Sequence, residues 1–303
     1  MFKQYLTADN YYKQKYKRKV IRIPLDGSFT CPNIDGTKST EGCTYCLRQV
    51  NPLAQLSLTE QFQKQKTILE KKWPPENYYI AYFQAQSNTY GSIEKLNLLY
   101  NQALRLDKNI IGLSIASRPD CFTDEIYDLL DKINKKTQLT IELGLQTINP
   151  QTAEKINRAH SLAEFENCVD KLKTRNISII VHIINGLPEE SEKDMLDTVR
   201  YINKLGIYGI KIHMLFITKK TKMGTDFQEN EFQVLSLEEY VDIVVKQIRI
   251  LDPKIIIYRL TGDAPKELLI SPLWSLKKFV VMNEIDKKMR KLNAYQGDQF
   301  EIL

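Results

Sequence analysis

Three cysteines stand close together near the start of the chain, Cys31, Cys43 and Cys46 in the stretch CPNIDGTKSTEGCTYC. Thiolates are soft ligands, and a run offering thiolates alone selects zinc, copper(I) or an iron–sulfur cluster. A structural zinc site closes its shell with four nitrogen or sulfur ligands, yet no histidine precedes His160 and no further cysteine precedes Cys121. Three thiolates on a four-iron cluster would instead leave one iron free to hold a small chelating molecule. A zinc knuckle and unligated core thiols are the alternatives these residues leave open. Gly36 and Gly42 allow tight turns around a bulky group, and Pro32 follows the first cysteine without an amide donor.

Other reactive residue types recur just after short β-branched runs. In SRPDC, the Arg118 guanidinium can grip a carboxylate with two parallel hydrogen bonds. In IELGLQTIN, Glu142, Gly144 and Gln146 alternate onto one face of a strand. A buried, unpaired Glu142 is expensive, so a bound cation or a hydroxyl-rich ligand explains it better than idle burial. NRAHS supplies Arg158 and His160, and HIINGLPEES offers backbone around Gly186 and Leu187 able to bind a base edge. KIHML puts Lys211 and His213 on one face, followed by Lys219, Lys220 and Lys222. Arg118, Lys211 and His213 are the candidates for contact with a substrate. His182 reads as a core histidine, and Cys121 and Cys168 as packed thiols.

These residues need a scaffold, and the chain alternates β-branched runs with amphipathic segments, the pattern of repeated β-α units on a parallel sheet. Strands are expected over Val20–Leu25, Tyr78–Gln84, Ile110–Ala116, Leu139–Leu145, Ile177–Ile184 and Gly209–Phe216. A seventh run, Ile255–Leu260, adds to the sheet edge or begins a C-terminal extension. Ser57 with Glu60, Ser161 with Glu164, and Ser236 with Glu239 fit capping boxes that start helices.

The 303 residues, 43% hydrophobic, suffice for a sizeable core, which excludes a disordered chain. The longest apolar run is too short to span a bilayer and the N-terminus lacks the apolar core of a signal peptide, so a cytoplasmic protein with no membrane partner is expected. Five cysteines without a regular framework argue for reduced thiols. Charge is concentrated at one end: residues 1–22 hold seven cations against Asp9 alone, which equals the whole +6 of the chain. Tyr5, Tyr11, Tyr12 and Tyr16 are interleaved with those cations, so the arm is either RNA-facing or a solvated segment whose tyrosines cover the scaffold.

The CysX11CysX2Cys spacing resembles the cluster motif of radical S-adenosylmethionine (SAM) enzymes, in the longer-loop form found near the Elongator catalytic subunit. IELGLQ and HIINGLP resemble further segments of that family, and RLTGDAP with PLW is similar to its bacterial YhcC/YtqA-like branch. The resemblance spans nearly the whole chain. It implies an α/β fold: a partial TIM-type (β/α)6 barrel over residues 23–230, with a basic aromatic arm (1–22) and a C-terminal α/β extension (231–303). It implies a [4Fe-4S] cluster on Cys31, Cys43 and Cys46, an electron donor such as flavodoxin or ferredoxin, and reductive cleavage of SAM to a 5′-deoxyadenosyl radical. Tyr45, Asn88, Thr89, Glu142, Gln146, Arg158, Asn185, Gly186 and Leu187 would position SAM, Tyr45 by stacking on adenine. The branch further implies a tRNA substrate, in which a wobble-uridine 5-carboxymethylaminomethyl group becomes aminomethyl. Elongator-like radical acyl transfer and a zinc-bound, non-catalytic RNA-binding module are the rival readings.

Overall fold

A computed structural model describes residues 3–47, 52–73, 76–229 and 232–301. Seven parallel strands form one sheet: β1 (Val20–Leu25), β2 (Tyr78–Phe83), β3 (Ile110–Ser117), β4 (Gln138–Gln146), β5 (Ser178–Asn185), β6 (Gly209–Met214) and β8 (Ile256–Arg259), paired in that order. The six runs expected from β-branched content each become a strand. The seventh takes the sheet edge beside β6, with Ile210 opposite Ile257. A two-residue β7 (Ile217–Thr218) pairs antiparallel with β9 (Leu269–Ser271) outside the main sheet.

The helices are α1 (Ala8–Tyr16), α2 (Leu58–Glu70), α3 (Ile93–Ala103), α4 (Asp124–Asn134), α5 (Pro150–Lys155), α6 (Leu162–Lys173), α7 (Glu192–Lys204), α8 (Lys222–Gln228), α9 (Leu237–Ile250) and α10 (Lys278–Lys291). All three expected capping boxes are formed, at Ser57, Ser161 and Ser236, and Ser191 with Asp194 makes a fourth. Each satisfies amides in the first turn of its helix, which sets where the helix leaves the sheet. The expected boundary between residues 230 and 231 lies outside the described residues. Among the described residues, no helix is long and apolar enough to cross a membrane.

Strand side chains divide by the period of two. Ile23, Phe83, Leu113, Ile141, Val181 and Ile212 are fully buried beneath the outer helices. The alternate residues Arg22, Tyr82, Ser114, Glu142, His182 and Lys211 face inward. The sheet must curl to bring them together. Six strand spacings of a flat sheet would part β1 from β8 by roughly 29 Å, yet the Arg22 guanidinium lies 5.3 Å from the Tyr258 ring.

Helix α1 closes the end of the barrel where the strands begin. Tyr16 meets Tyr78 and Gln138, the first residues of β2 and β4, and Tyr11 meets Tyr208 just before β6. Thr7 bridges to Ile257 of β8. Of the two readings of the arm, the structure therefore selects tyrosines that cover the scaffold. Tyr5 and Tyr12 are buried, and the Tyr12 hydroxyl is 2.8 Å from that of Tyr258. Lys13 and Lys19 pair with Asp9 and Arg22 reaches Glu142 inside the barrel, while Lys15, Lys17 and Arg18 are exposed.

Candidate active site

The three cysteines lie at the opposite mouth, on the loop that leaves the C-terminal end of β1. Residues 156–159, following α5, anchor that loop. Asn157 donates from Nδ2 to the Gly42 carbonyl at 2.7 Å, while its own carbonyl accepts from Asn33 Nδ2 at 2.7 Å. Thr44 N–H donates to Ile156 O at 3.0 Å. Lys38 extends the tether to Asp120 at 2.7 Å and Glu164 at 3.2 Å. Asn157 and Ala159 adopt left-handed backbone (φ 49° and 57°), which folds these residues back under the loop.

None of the three thiols is in a disulfide and all are half-buried. Burial pushes the Cys43 thiol up, while the nearby Arg118 charge and hydrogen bonds from Tyr45 and Asn33 oppose this. Cys31 is also within electrostatic range of Cys43 and Arg118, and Cys46 of Tyr45. Among the described residues, no three His, Cys, Asp or Glu side chains converge on the position of a single metal ion. A donor set of three thiols at one mouth, beside an Arg118 charge that favours the Cys43 thiolate, fits a polynuclear cluster with an open position. Three buried acceptors close by, Asn33 Oδ1, Thr44 Oγ1 and Asn88 Oδ1, have no hydrogen-bond partner among the described residues.

Several residues expected to touch ligands turn out to brace the mouth. Arg118 grips its own neighbour Asp120 through Nε and Nη2 at 2.9 and 2.8 Å, and donates to the carbonyls of Arg158 and Ala159. Its fork is occupied, so it is not the expected clamp for a substrate carboxylate. Arg158, 3% exposed, donates to the carbonyls of His160, Leu145 and Thr147. The Thr89 hydroxyl donates to Cys121 O and meets Ser117. Asn185 points toward the helices, in a reciprocal amide pair with Gln247 of α9. In each case the side chain fills the hydrogen-bonding needs of buried backbone or amide groups. Asn88 differs: Nδ2 donates to Ala116 O at 2.8 Å, but Oδ1 is left over.

The GLP segment turns at Gly186 (φ 84°), where a side chain would meet Leu235. Leu187 is buried in a small satellite core with Leu215, Ile217 and Met223, and Tyr45 packs on the same core. The ring of Tyr45 is thus fixed beside the cysteine loop, with its hydroxyl on Cys43.

Glu142 forms the centre of the barrel lumen and is 1% exposed. Its carboxylate accepts from Ser114 at 2.8 Å, Tyr82 at 3.0 Å, His182 at 2.7 Å, Lys211 at 2.5 Å, and from Arg22. Six strands converge on one carboxylate. Burial, with Arg22 and Arg259 adding repulsion, pushes the Lys211 ammonium down to about 7, and the adjoining Tyr82 hydroxyl and Glu142 carboxylate work against that shift. Burial holds both His182 and His213 well below the usual imidazole range, so both are neutral. Because Glu142 only accepts, neutral His182 donates from Nε2. His213 Nε2 is buried with no partner among the described residues.

Gly144 explains the spacing of the Glu-x-Gly-x-Gln run. A Cβ there would stand 2.4 Å from Gln146 Nε2, so the glycine makes room for the Gln146 amide to fold back over the strand. Gln146 itself has φ 61° beside a register shift in the β4–β5 pairing. Sequence reasoning missed Arg22, Tyr82 and Ser114 as lumen residues. For Arg22 and Ser114 the signal was alternation, each standing out of phase with the large apolar residues of its strand, whereas Tyr82 lies in phase with Ile80 in a strand apolar throughout and carried no such signal.

The family model of the radical SAM superfamily matches residues 36–202, and that of the Radical_SAM C-terminal domain matches residues 207–291. The uncharacterized protein YtqA of Bacillus subtilis is 39% identical over 305 residues, covering 99% of this chain and 94% of that protein. A tRNA-2-methylthio-N(6)-dimethylallyladenosine synthase of Fusobacterium nucleatum is 26% identical over 212 residues, or 66% of this chain and 48% of that one. The structure of Elp3 from the archaeon Methanocaldococcus infernus, with an N-terminal deletion, shares the fold at a TM-score of 0.70 and 16% identity, covering 91% of this chain and 64% of that chain. With one family model spanning more than half of its length and a close relative along nearly all of it, the chain belongs to the radical SAM superfamily, whose enzymes use a [4Fe-4S] cluster and S-adenosylmethionine.

Proposed function

We propose that Cys31, Cys43 and Cys46 hold the cluster, that SAM is bound at the same mouth, and that the substrate enters the lumen below. The observation that carries this reading is the unpartnered Asn88 Oδ1, buried at the C-terminal mouth of a parallel barrel that also holds three thiols outside any disulfide, where barrel enzymes do their chemistry. When bound, the cluster and SAM supply a 5′-deoxyadenosyl radical that takes a hydrogen atom from substrate. Asn88 Oδ1 and the Gln146 amide would offer hydrogen bonds to SAM, and backbone near Gly186 and Leu187 would hold its adenine. Tyr45 buttresses Cys43. Arg118 and Arg158 act as positioning residues, because loss of their bonds would release residues 158–160 and the mouth they frame, while Thr89 ties its loop to Ser117 and Cys121 and Asn185 ties the end of β5 to α9. The protein's remaining part is to orient the reacting groups and exclude water and stray hydrogen donors.

The substrate is tRNA, and the reaction converts a wobble-uridine 5-carboxymethylaminomethyl group to aminomethyl. The distant relative named as a tRNA-modifying synthase supports this choice. The test has two stages. Anaerobically purified protein should contain about four irons per chain with matching sulfide and should release 5′-deoxyadenosine when reduced with SAM. Nucleosides of tRNA from cells with and without the gene are then compared by mass spectrometry. Accumulation of the carboxymethylaminomethyl form in the deleted strain supports the tRNA assignment, and identical nucleoside profiles overturn it.

A further inference from the structure

The lumen carries more positive charge than its own carboxylates balance. Arg22 and Lys211 both reach Glu142. Arg259, at the end of β8, lies close enough for its charge to bear on Tyr82, His182, Lys211 and His213. On its outer side Arg259 shares Asp263 with Lys278. Arg22, Lys211 and Arg259 thus gather around one buried carboxylate, Glu142, while Asp263 and Lys278 pair at the exposed rim.

Uncompensated charge in a low-dielectric setting is unfavourable unless a ligand answers it. This layer is also open on one side: the Arg22 and His182 side chains keep 19% and 21% exposure, while Glu142 beneath them has none. Independently of charge, the buried His213 Nε2 points to a missing hydrogen-bond partner, and its ring lies 5.3 Å from that of His182. Neutral imidazole there can donate to an oxyanion without adding charge.

We propose that this layer is an oxyanion-binding floor that receives a carboxylate of the substrate between Lys211 and Arg259, with Tyr82 and His213 as flanking hydrogen-bonding groups. A carboxylate suits it better than a phosphate. A singly charged, planar group matches the guanidinium fork, whereas a doubly charged phosphate would meet the Glu142 carboxylate at close range. The inference rests on the lumen being the substrate site and specifies what it selects.

The test uses the full chain with its cluster and two probes that differ by one carboxymethyl group, N-benzylglycine and benzylamine, in titration calorimetry. N-Benzylglycine should bind at least about tenfold more tightly. Lys211→Met should abolish that preference and Lys211→Arg should keep most of it. Should Lys211→Met fail to fold, Arg259→Gln, which makes no contact with Glu142, should reduce the preference several-fold. Equal affinities, no measurable binding of either probe, or a preference surviving both Lys211→Met and Arg259→Gln would overturn the proposal. Inorganic phosphate displacing N-benzylglycine more effectively than acetate would overturn the carboxylate assignment. Neither probe contains RNA, so failure here and failure of the tRNA reading are separate results.

Discussion

Replacing Gly144 by alanine should weaken SAM binding while leaving the fold intact. The new Cβ would stand 2.4 Å from Gln146 Nε2, 3.4 Å from its Cδ and 3.6 Å from its Oε1. Contact between such atoms is comfortable at about 3.5 Å, so the amide nitrogen must move by about 1 Å. A side-chain tip can do that, but not while keeping the hydrogen bonds to SAM proposed for it. At roughly 1 kcal/mol for each of one or two bonds, SAM affinity should fall about five- to thirtyfold. Stability should change little. The backbone of Gly144 lies outside the left-handed region, so alanine gains about 0.4–1 kcal/mol through the unfolded chain. Pushing Gln146 off its rotamer costs about 0.5–1.5 kcal/mol, which nearly cancels that gain. Equilibrium dialysis with SAM reports the first effect and the urea midpoint the second. Gln146→Ala should reproduce the affinity loss, and adding Gly144→Ala to it should do nothing more. An unchanged SAM affinity in Gly144→Ala, or full additivity of the two changes, would refute the reasoning.

Cys43→Ala should lose iron and 5′-deoxyadenosine release while the far-ultraviolet circular dichroism stays that of the parent; undiminished SAM cleavage would sink the cluster assignment. Asn157→Ala should lower stability by about 1–3 kcal/mol, through two lost hydrogen bonds and a left-handed backbone that alanine resists. Asn157→Gly should be milder, because glycine adopts that backbone freely. Burial raises the Glu190 carboxyl from 4.5 to about 7. Its folded form holds the proton more tightly, so stability should fall as pH rises from 4.5 through 7, and Glu190→Gln should remove that slope, with a gain of at most about 3 kcal/mol near pH 8. His160 works in the opposite sense: burial and the charges of Arg158 and Arg118 push it down to about 4, so stability should fall as pH drops from 6.5 toward 4. Urea midpoints across pH for parent and Glu190→Gln check both slopes.

Much of the architecture was legible because it depends on near neighbours in the chain. Each strand is a short β-branched run, and a parallel strand buried on both sides needs only that. Helix starts were readable at Ser57, Ser161 and Ser236 because a capping box is complete within four residues. The cysteine spacing and the Glu-x-Gly-x-Gln run are equally local, so the thiol cluster and the lumen-facing side of β4 could be named from sequence.

Partner choice was a different matter. Whether Arg118 grips a ligand or Asp120, and whether Asn185 faces the lumen or Gln247 across 62 residues of sequence, depends on which groups the fold brings alongside. Arg22 looked like the last cation of a basic arm, but the curl of the sheet carries it onto Glu142, 120 residues away. The tyrosines of that arm looked able to face RNA until α1 was seen to seal the far end of the barrel with them. The sequence by itself determined the parallel β-α scaffold, the thiol trio and the polar face of β4, since periodicity and spacing act over a few residues. Only the tertiary structure decided which polar groups are braces and which stay unpaired, because a hydrogen bond is assigned by proximity in space, and proximity across the lumen is set by the curvature of the whole sheet.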